Sequence, residues 1–203
     1  MASGRAHNDG SHDQKGSEVL DFTIHNVDSA PEGSRDLLKG MENNLGFIPN
    51  LAATISNSPV ALQGFIALLS GLRSTTLTPV EREVVGLTVS RENRSPYSMA
   101  AHSTFATAAG AAPEVVAALR AGEILLDERL QILHAFTKEV IRRRGSVTDD
   151  DLAALAKAGY SEENVLEVVT QVAYTTLSNL VANVADVPID GAFEPQAWTP
   201  TAA

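Results

Sequence analysis

The stretch Leu77–Gly110, LTPVEREVVGLTVSRENRSPYSMAAHSTFATAAG, reads as two helices meeting in a tight corner, and it is where polar side chains collect inside apolar periodicity. Thr78-Pro79-Val80-Glu81 is a capping box with proline at the first helical position, so a helix starts there. It carries Val84, Val85, Leu87, Thr88 and Val89 to about Asn93. Ser95-Pro96 repeats the cap-plus-proline signal and opens a second helix that closes at Gly110. Within it Ser95, Ser98 and His102 stand at i, i+3 and i+7 and share one face, while Tyr97 points elsewhere. A connection of about two residues makes the pair a helical hairpin, which brings Glu83 on the first helix towards His102 on the second. A carboxylate, an imidazole and two hydroxyls would then meet in one place.

Glu83, an eleven-residue gap, then Ser95-Pro96-Tyr97-Ser98 and Met99-Ala100-Ala101-His102 resembles the motif of the alkylhydroperoxidase AhpD and carboxymuconolactone decarboxylase family, which in its peroxidatic members is Glu, the same gap, and Cys-x-x-Cys-x-x-x-His. The flanking VVGLTVSREN and MAAHS are similar to its peroxidase-related branch, and the likeness reaches the tail at Val187-Pro188-Ile189-Asp190, Phe193-Glu194-Pro195 and Trp198. It spans roughly residues 20 to 198. Both motif cysteines are serine here, and the chain has no cysteine at all.

In the family the two thiols form a redox couple, and the glutamate and histidine relay protons to it. A serine hydroxyl forms no disulfide and holds its proton too tightly to replace a thiolate, so Ser95 and Ser98 cannot reduce a hydroperoxide by thiol chemistry. Three readings of the serines remain. In the first, the chain does acid-base chemistry (decarboxylation, enolisation or lactone chemistry) through Glu83 and His102, with Tyr97 as a phenolic donor. In the second, it is a Cys-to-Ser inactivated form of an antioxidant alkyl hydroperoxide reductase. In the third, it is a non-catalytic oligomeric scaffold that binds a ligand. Ser95, followed by proline, is an N-cap whose hydroxyl the backbone occupies; Ser98, one turn inside, is better placed to face a pocket and bond to His102.

Away from the motif, 203 residues with 44% hydrophobic and 20% charged content suffice for one compact domain, expected over residues 21–198. Aromatics are only 5%, and alanine, valine and leucine carry the apolar load, which suits close-packed helices. With no convincing strand alternation and no internal repeat, the fold class is all-α. By resemblance it is the family's helical bundle, with the motif on a central hairpin. A net charge of −10 argues against a nucleic-acid partner, which needs a concentrated basic patch. Arg142-Arg143-Arg144 ends a helix before Gly145 and answers its dipole.

Residues 1–20 and 199–203 read as tails, the first polar and without periodicity. Neither a signal peptide nor a run of about 18 apolar residues appears, so no membrane partner is expected and the localisation is read as cytoplasmic. Phe22, Ile24 and Val27 form an apolar arm. Helices follow from Glu32 to Leu45, into Ser56, and after Ser58-Pro59. By resemblance Phe47, Phe65 and Leu69 wall the pocket. Pro113 starts a short helix, Asp127 a longer one with His134 as a core histidine, and Thr148 one whose three aspartates serve the cap, so no metal and no cofactor are expected. Ser161 caps a last helix that is apolar nearly all round, which belongs at the bundle centre or in a subunit interface. Its Asn179 and Asn183 either brace the site histidine or glutamate, or stitch subunits together. A small-molecule substrate and a homo-oligomer, which the family forms as trimer, dimer or hexamer, complete the expectations.

Overall fold

A computed structural model describes residues 20–200, and among these the chain forms nine α-helices and no strand. They are α1 (Glu32–Leu45), α2 (Asn50–Ile55), α3 (Pro59–Leu72), α4 (Pro79–Glu92), α5 (Pro96–Ala108), α6 (Pro113–Ala121), α7 (Glu128–Arg142), α8 (Asp149–Lys157) and α9 (Glu162–Val184), with a short 3-10 turn at Glu194–Gln196. The tail expected over residues 1–20 lies outside the described residues except for exposed Leu20, as do residues 201–203.

The helix boundaries follow from local chemistry. Thr78 and Glu81 form both halves of the capping box, Glu81 N–H donating to Thr78 Oγ1 (3.2 Å) and Thr78 N–H to Glu81 Oε2 (2.8 Å). Thr148 and Ser161 form capping boxes at α8 and α9, while Ser58, Ser95 and Asp127 cap α3, α5 and α7 by their side chains alone, and each such cap is worth about 1 kcal/mol. Asp151, the last of the three aspartates, completes the cap at Thr148, whose N–H donates to its Oδ2 (2.8 Å). The arginine run is tied by ion pairs as well as by the dipole: Arg142 reaches Glu92, and Arg143 reaches Glu139 and Asp151.

The centre of the bundle is α4. Val84, Val85, Leu87, Thr88, Val89 and Ser90 are all buried, so the helix is covered on every side, and α5, α6, α7 and α9 pack around it. The last helix, α9, is half covered: Val168, Gln171, Thr175, Ser178 and Asn179 face inward, while Leu166, Val169, Leu180 and Val184 are exposed. Behind α4 one apolar cluster joins it to α6, α7 and α8; in front of α5 a second joins α1, α2, α3 and the C-terminal segment. The α4–α5 hairpin is the wall between them. The N-terminal arm lies on the domain, where His25 N–H donates to the Ala53 carbonyl and Asn57 Nδ2 to that of Thr23.

Candidate active site

On the front of the hairpin a cavity of about 230 Å³ opens among α1, α2, α3, α5, α9 and the C-terminal segment. Two clefts around Asp127, of about 510 and 490 Å³, are larger, but no histidine lines either of them. The front cavity has His102 and Ser98 on one wall and Phe65, Tyr97, Phe105, Tyr174 and Phe193 around them.

Glu83 and His102 meet as the hairpin geometry requires. The distance from His102 Nδ1 to Glu83 Oε2 is 2.7 Å, with 9% of the His102 side chain and 19% of that of Glu83 exposed. An ionised carboxylate can only accept, so in a neutral imidazole the proton sits on Nδ1 and Nε2 carries the lone pair. Gly86 makes the contact possible. A Cβ at that position would lie 2.5 Å from His102 Nδ1, so any side chain there would expel the ring. Sequence reasoning passed over this glycine, although a glycine among buried valines inside a helix signals a close approach.

The two serines part company. Ser95 is fully buried and its Oγ accepts from the Ser98 N–H at 3.5 Å, a capping role. Ser98 is buried too, but its Oγ has no hydrogen-bond partner, so the bond to His102 expected from the sequence is not formed. Leaving a buried hydroxyl unpaired costs roughly 1–3 kcal/mol.

Tyr97 lines the cavity, yet its hydroxyl is spent on structure. It donates to Asp190 Oδ2 at 2.6 Å and accepts from the Leu51 N–H at 3.3 Å. Burial, reinforced by the bond to Asp190, pushes its pKa far up. The same carboxylate accepts from the Asn50 N–H at 3.0 and 3.2 Å, which seats the first turn of α2. Asp190, unremarked in the sequence beyond its place in the tail, is therefore the latch that fixes the C-terminal segment over the cavity. Arg120 adds a second tie, its guanidinium donating to the carbonyls of Gln196 and Ala197 (both 2.9 Å).

Phe65 and Leu69 line the cavity, but Phe47 stands behind it, edge-on to Phe193 at 6.0 Å. Phe193, brought in by the C-terminal segment, is the one of the two that lines the cavity. Asn179 and Asn183 brace the corner of the hairpin rather than Glu83 or His102: Asn93 Nδ2 donates to Asn179 Oδ1 (3.0 Å), and Asn183 Nδ2 to the Asn93 carbonyl (3.0 Å). Their action on the site runs through the α4–α5 turn, where Arg94 holds a left-handed φ of 52°.

The hairpin and the helices on either side of it also carry a family signature, since residues 59–137 match the profile of the carboxymuconolactone decarboxylase family. The match covers 79 of the 203 residues, so the likeness to this family is shown for that central part of the chain. No curated protein matches the chain in sequence. Among solved structures, an uncharacterized peroxidase-related protein with an alkylhydroperoxidase AhpD core, from Ralstonia eutropha JMP134, is 22% identical, with a TM-score of 0.77 over 89% of this chain and 97% of that one. An uncharacterized peroxidase-related protein from Silicibacter sp. TM1040 is 19% identical, with a TM-score of 0.73 over 86% of this chain and 92% of that one. A variant of the debrominase Bmp8 in complex with 2,3,4-tribromopyrrole is 20% identical, with a TM-score of 0.72 over 89% and 96%. At these identities the likeness is one of fold, and the bundle described above is that of AhpD-like proteins. Within the matched region the chain departs from the peroxidatic motif at Ser95 and Ser98, and among the described residues no helix is long and apolar enough to cross a membrane.

Proposed function

We propose that the chain is an acid-base enzyme acting on a small, ring-sized carbonyl compound, by enolisation, decarboxylation or lactone chemistry. The observation that carries this is the 2.7 Å pair of Glu83 and His102 on the wall of an aromatic cavity. Glu83 holds the Nδ1 proton and orients the ring, so His102 Nε2 is the base that takes a proton from the carbon beside the carbonyl. The apolar walls exclude water and strengthen each electrostatic contact. One structural relative binds a halogenated pyrrole, a planar ring compatible with a cavity of about 230 Å³.

The test is turnover of small cyclic ketones, lactones and keto acids. Glu83→Gln and His102→Gln should each lower it by about 10²–10⁴-fold while the helical circular dichroism is kept. Equal rates in all three proteins would contradict the reading.

One observation favours a second reading. A sulfur at position 98 would not suffer from the lack of a partner that the Ser98 hydroxyl has, so the pocket suits a thiol there. On that reading the chain is an inactivated thiol peroxidase. The double change Ser95→Cys and Ser98→Cys should then reduce hydroperoxides with a dithiol reductant, whereas the serine form does not. In both readings the chain works as a homo-oligomer in the cytoplasm, associating through the exposed stripe of α9 that contains Leu166, Val169, Leu180 and Val184. Light scattering on the wild type and on Leu180→Glu tests the association.

A further inference from the structure

Aromatic residues are scarce in this chain, 6 Phe, 3 Tyr and 1 Trp, and yet Phe65, Tyr97, Phe105, Tyr174 and Phe193 all line the one cavity that holds His102. Two of them carry hydroxyls, and the two hydroxyls differ. That of Tyr97 is committed to Asp190 and Leu51. Tyr174, on α9, stacks on Phe65 with centroids 5.1 Å apart and planes 28° from parallel. Its hydroxyl has the Ser178 hydroxyl as neighbour, which can only accept from it because its own proton goes elsewhere, and among the described residues no carboxylate or carbonyl takes the phenol's proton. The Ser178 hydroxyl itself donates to the Tyr174 carbonyl at 3.0 Å.

The surroundings keep that phenol protonated. Burial, and after it the charge of Glu83, push its pKa up, so it remains a donor across the neutral range. Tyr174 and His102 line the same cavity, so one small ligand can meet both.

We propose that Tyr174 is a catalytic residue, the donor that holds the oxygen of a planar, conjugated carbonyl substrate while His102 works at the adjacent carbon; this rests on the acid-base reading above. In the step, the C–H bond beside the carbonyl breaks and its proton passes to His102 Nε2. The electron pair moves into the new carbon–carbon double bond, and the carbonyl oxygen becomes an enolate oxygen that accepts the hydrogen bond of the Tyr174 hydroxyl. No electron leaves the substrate and no co-reactant is needed. Phe65 fixes the plane of the Tyr174 ring, and Phe105 and Phe193, edge-on to each other at 5.4 Å, wall the same cavity. Such a slot favours a flat ring over a branched aliphatic chain.

The experiment uses 4-nitrophenolate as a stable mimic of the enolate and nitrobenzene as the same ring without the oxyanion, at a pH where the nitrophenol is ionised. Each is titrated into the full chain, wild type and Tyr174→Phe, by calorimetry and by the shift of the nitrophenolate absorption band. The expected result is that Tyr174→Phe weakens 4-nitrophenolate by about tenfold or more and abolishes the band shift, with nitrobenzene affinity retained. Equal weakening of both probes would show that Tyr174 acts by packing and would overturn the proposal, as would unchanged nitrophenolate binding or a wild type that binds neither probe. Failure here is separable from failure of the acid-base reading, which is measured through Glu83→Gln and His102→Gln on turnover. Phe65→Leu, which removes the stack and keeps the hydroxyl, should retain the band shift; its loss there with Tyr174 intact would also count against the proposal.

Discussion

Two buried histidines flank the central hairpin, and their surroundings differ in a way that separates structure from chemistry. His134, behind α4, has its Nδ1 at 2.7 Å from Thr88 Oγ1. The Thr88 hydroxyl gives its own proton to the Val84 carbonyl (2.7 Å), so His134 must be the donor and the chain of bonds ends inside the core. His102, in front of α5, makes a bond of the same length to a carboxylate and borders a cavity. The hydroxyl partner only satisfies a ring; the carboxylate stabilises an imidazolium as it forms, and the cavity gives Nε2 something to act on. On the proposed reading, the carboxylate partner and the open side, not burial, are what would make His102 the catalytic histidine.

The comparison breaks most visibly at His102. His102→Gln should lower turnover by about 10²–10⁴-fold, measured by steady-state kinetics, with little change in melting temperature. His134 should answer instead in stability. Desolvation, then the charge of Lys138, lowers its pKa from 6.5 to about 4, so between those values the unfolded chain binds the proton that the folded chain refuses. Stability therefore falls as pH drops from about 6.5 to 4, by on the order of 3 kcal/mol at full extent, and His134→Gln should flatten that part of a urea-denaturation pH series. Gly86→Ala sharpens the contrast, because the new Cβ meets His102 at 2.5 Å and leaves His134 alone. It should cost roughly 1–3 kcal/mol of stability and carry the same loss of turnover as removal of the imidazole. The smallest effect is expected at Asp190→Asn, which keeps an acceptor for Tyr97 and Asn50 but removes the charge; the unfolding free energy from urea denaturation should fall by about 1 kcal/mol.

The helices were legible because their ends are written in short-range chemistry. Ser58-Pro59, Thr78-Pro79, Ser95-Pro96, Thr148 and Ser161 each announce a start that local hydrogen bonds alone enforce. The meeting of Glu83 with His102 was legible for the same reason, since a short turn leaves two helices little freedom. What escaped notice depends on contacts between residues far apart in sequence. Asp190 meets Tyr97 across 93 positions, and Phe193 reaches the cavity wall from the C-terminal segment. Tyr174 sits in an apolar helix that reads as core from its pattern, but in the fold it stacks on Phe65 and lines the cavity. The apolar pattern of α9 fitted either the bundle centre or a subunit interface; within the chain α4 holds the centre, and its polar Thr88 and Ser90 are buried there because they bond back to their own helix.

The most direct test of the account is the exchange of hydrogen for deuterium beside the carbonyl of 2-indanone, a planar enolisable ketone, followed by proton NMR in heavy water with the wild type, His102→Gln and His134→Gln. Exchange accelerated by the wild type and by His134→Gln, and reduced to the buffer rate by His102→Gln, is the predicted result. Exchange that is equally fast with all three proteins, or that falls with His134→Gln and survives in His102→Gln, would contradict the assignment of the proton-transfer site to Glu83 and His102.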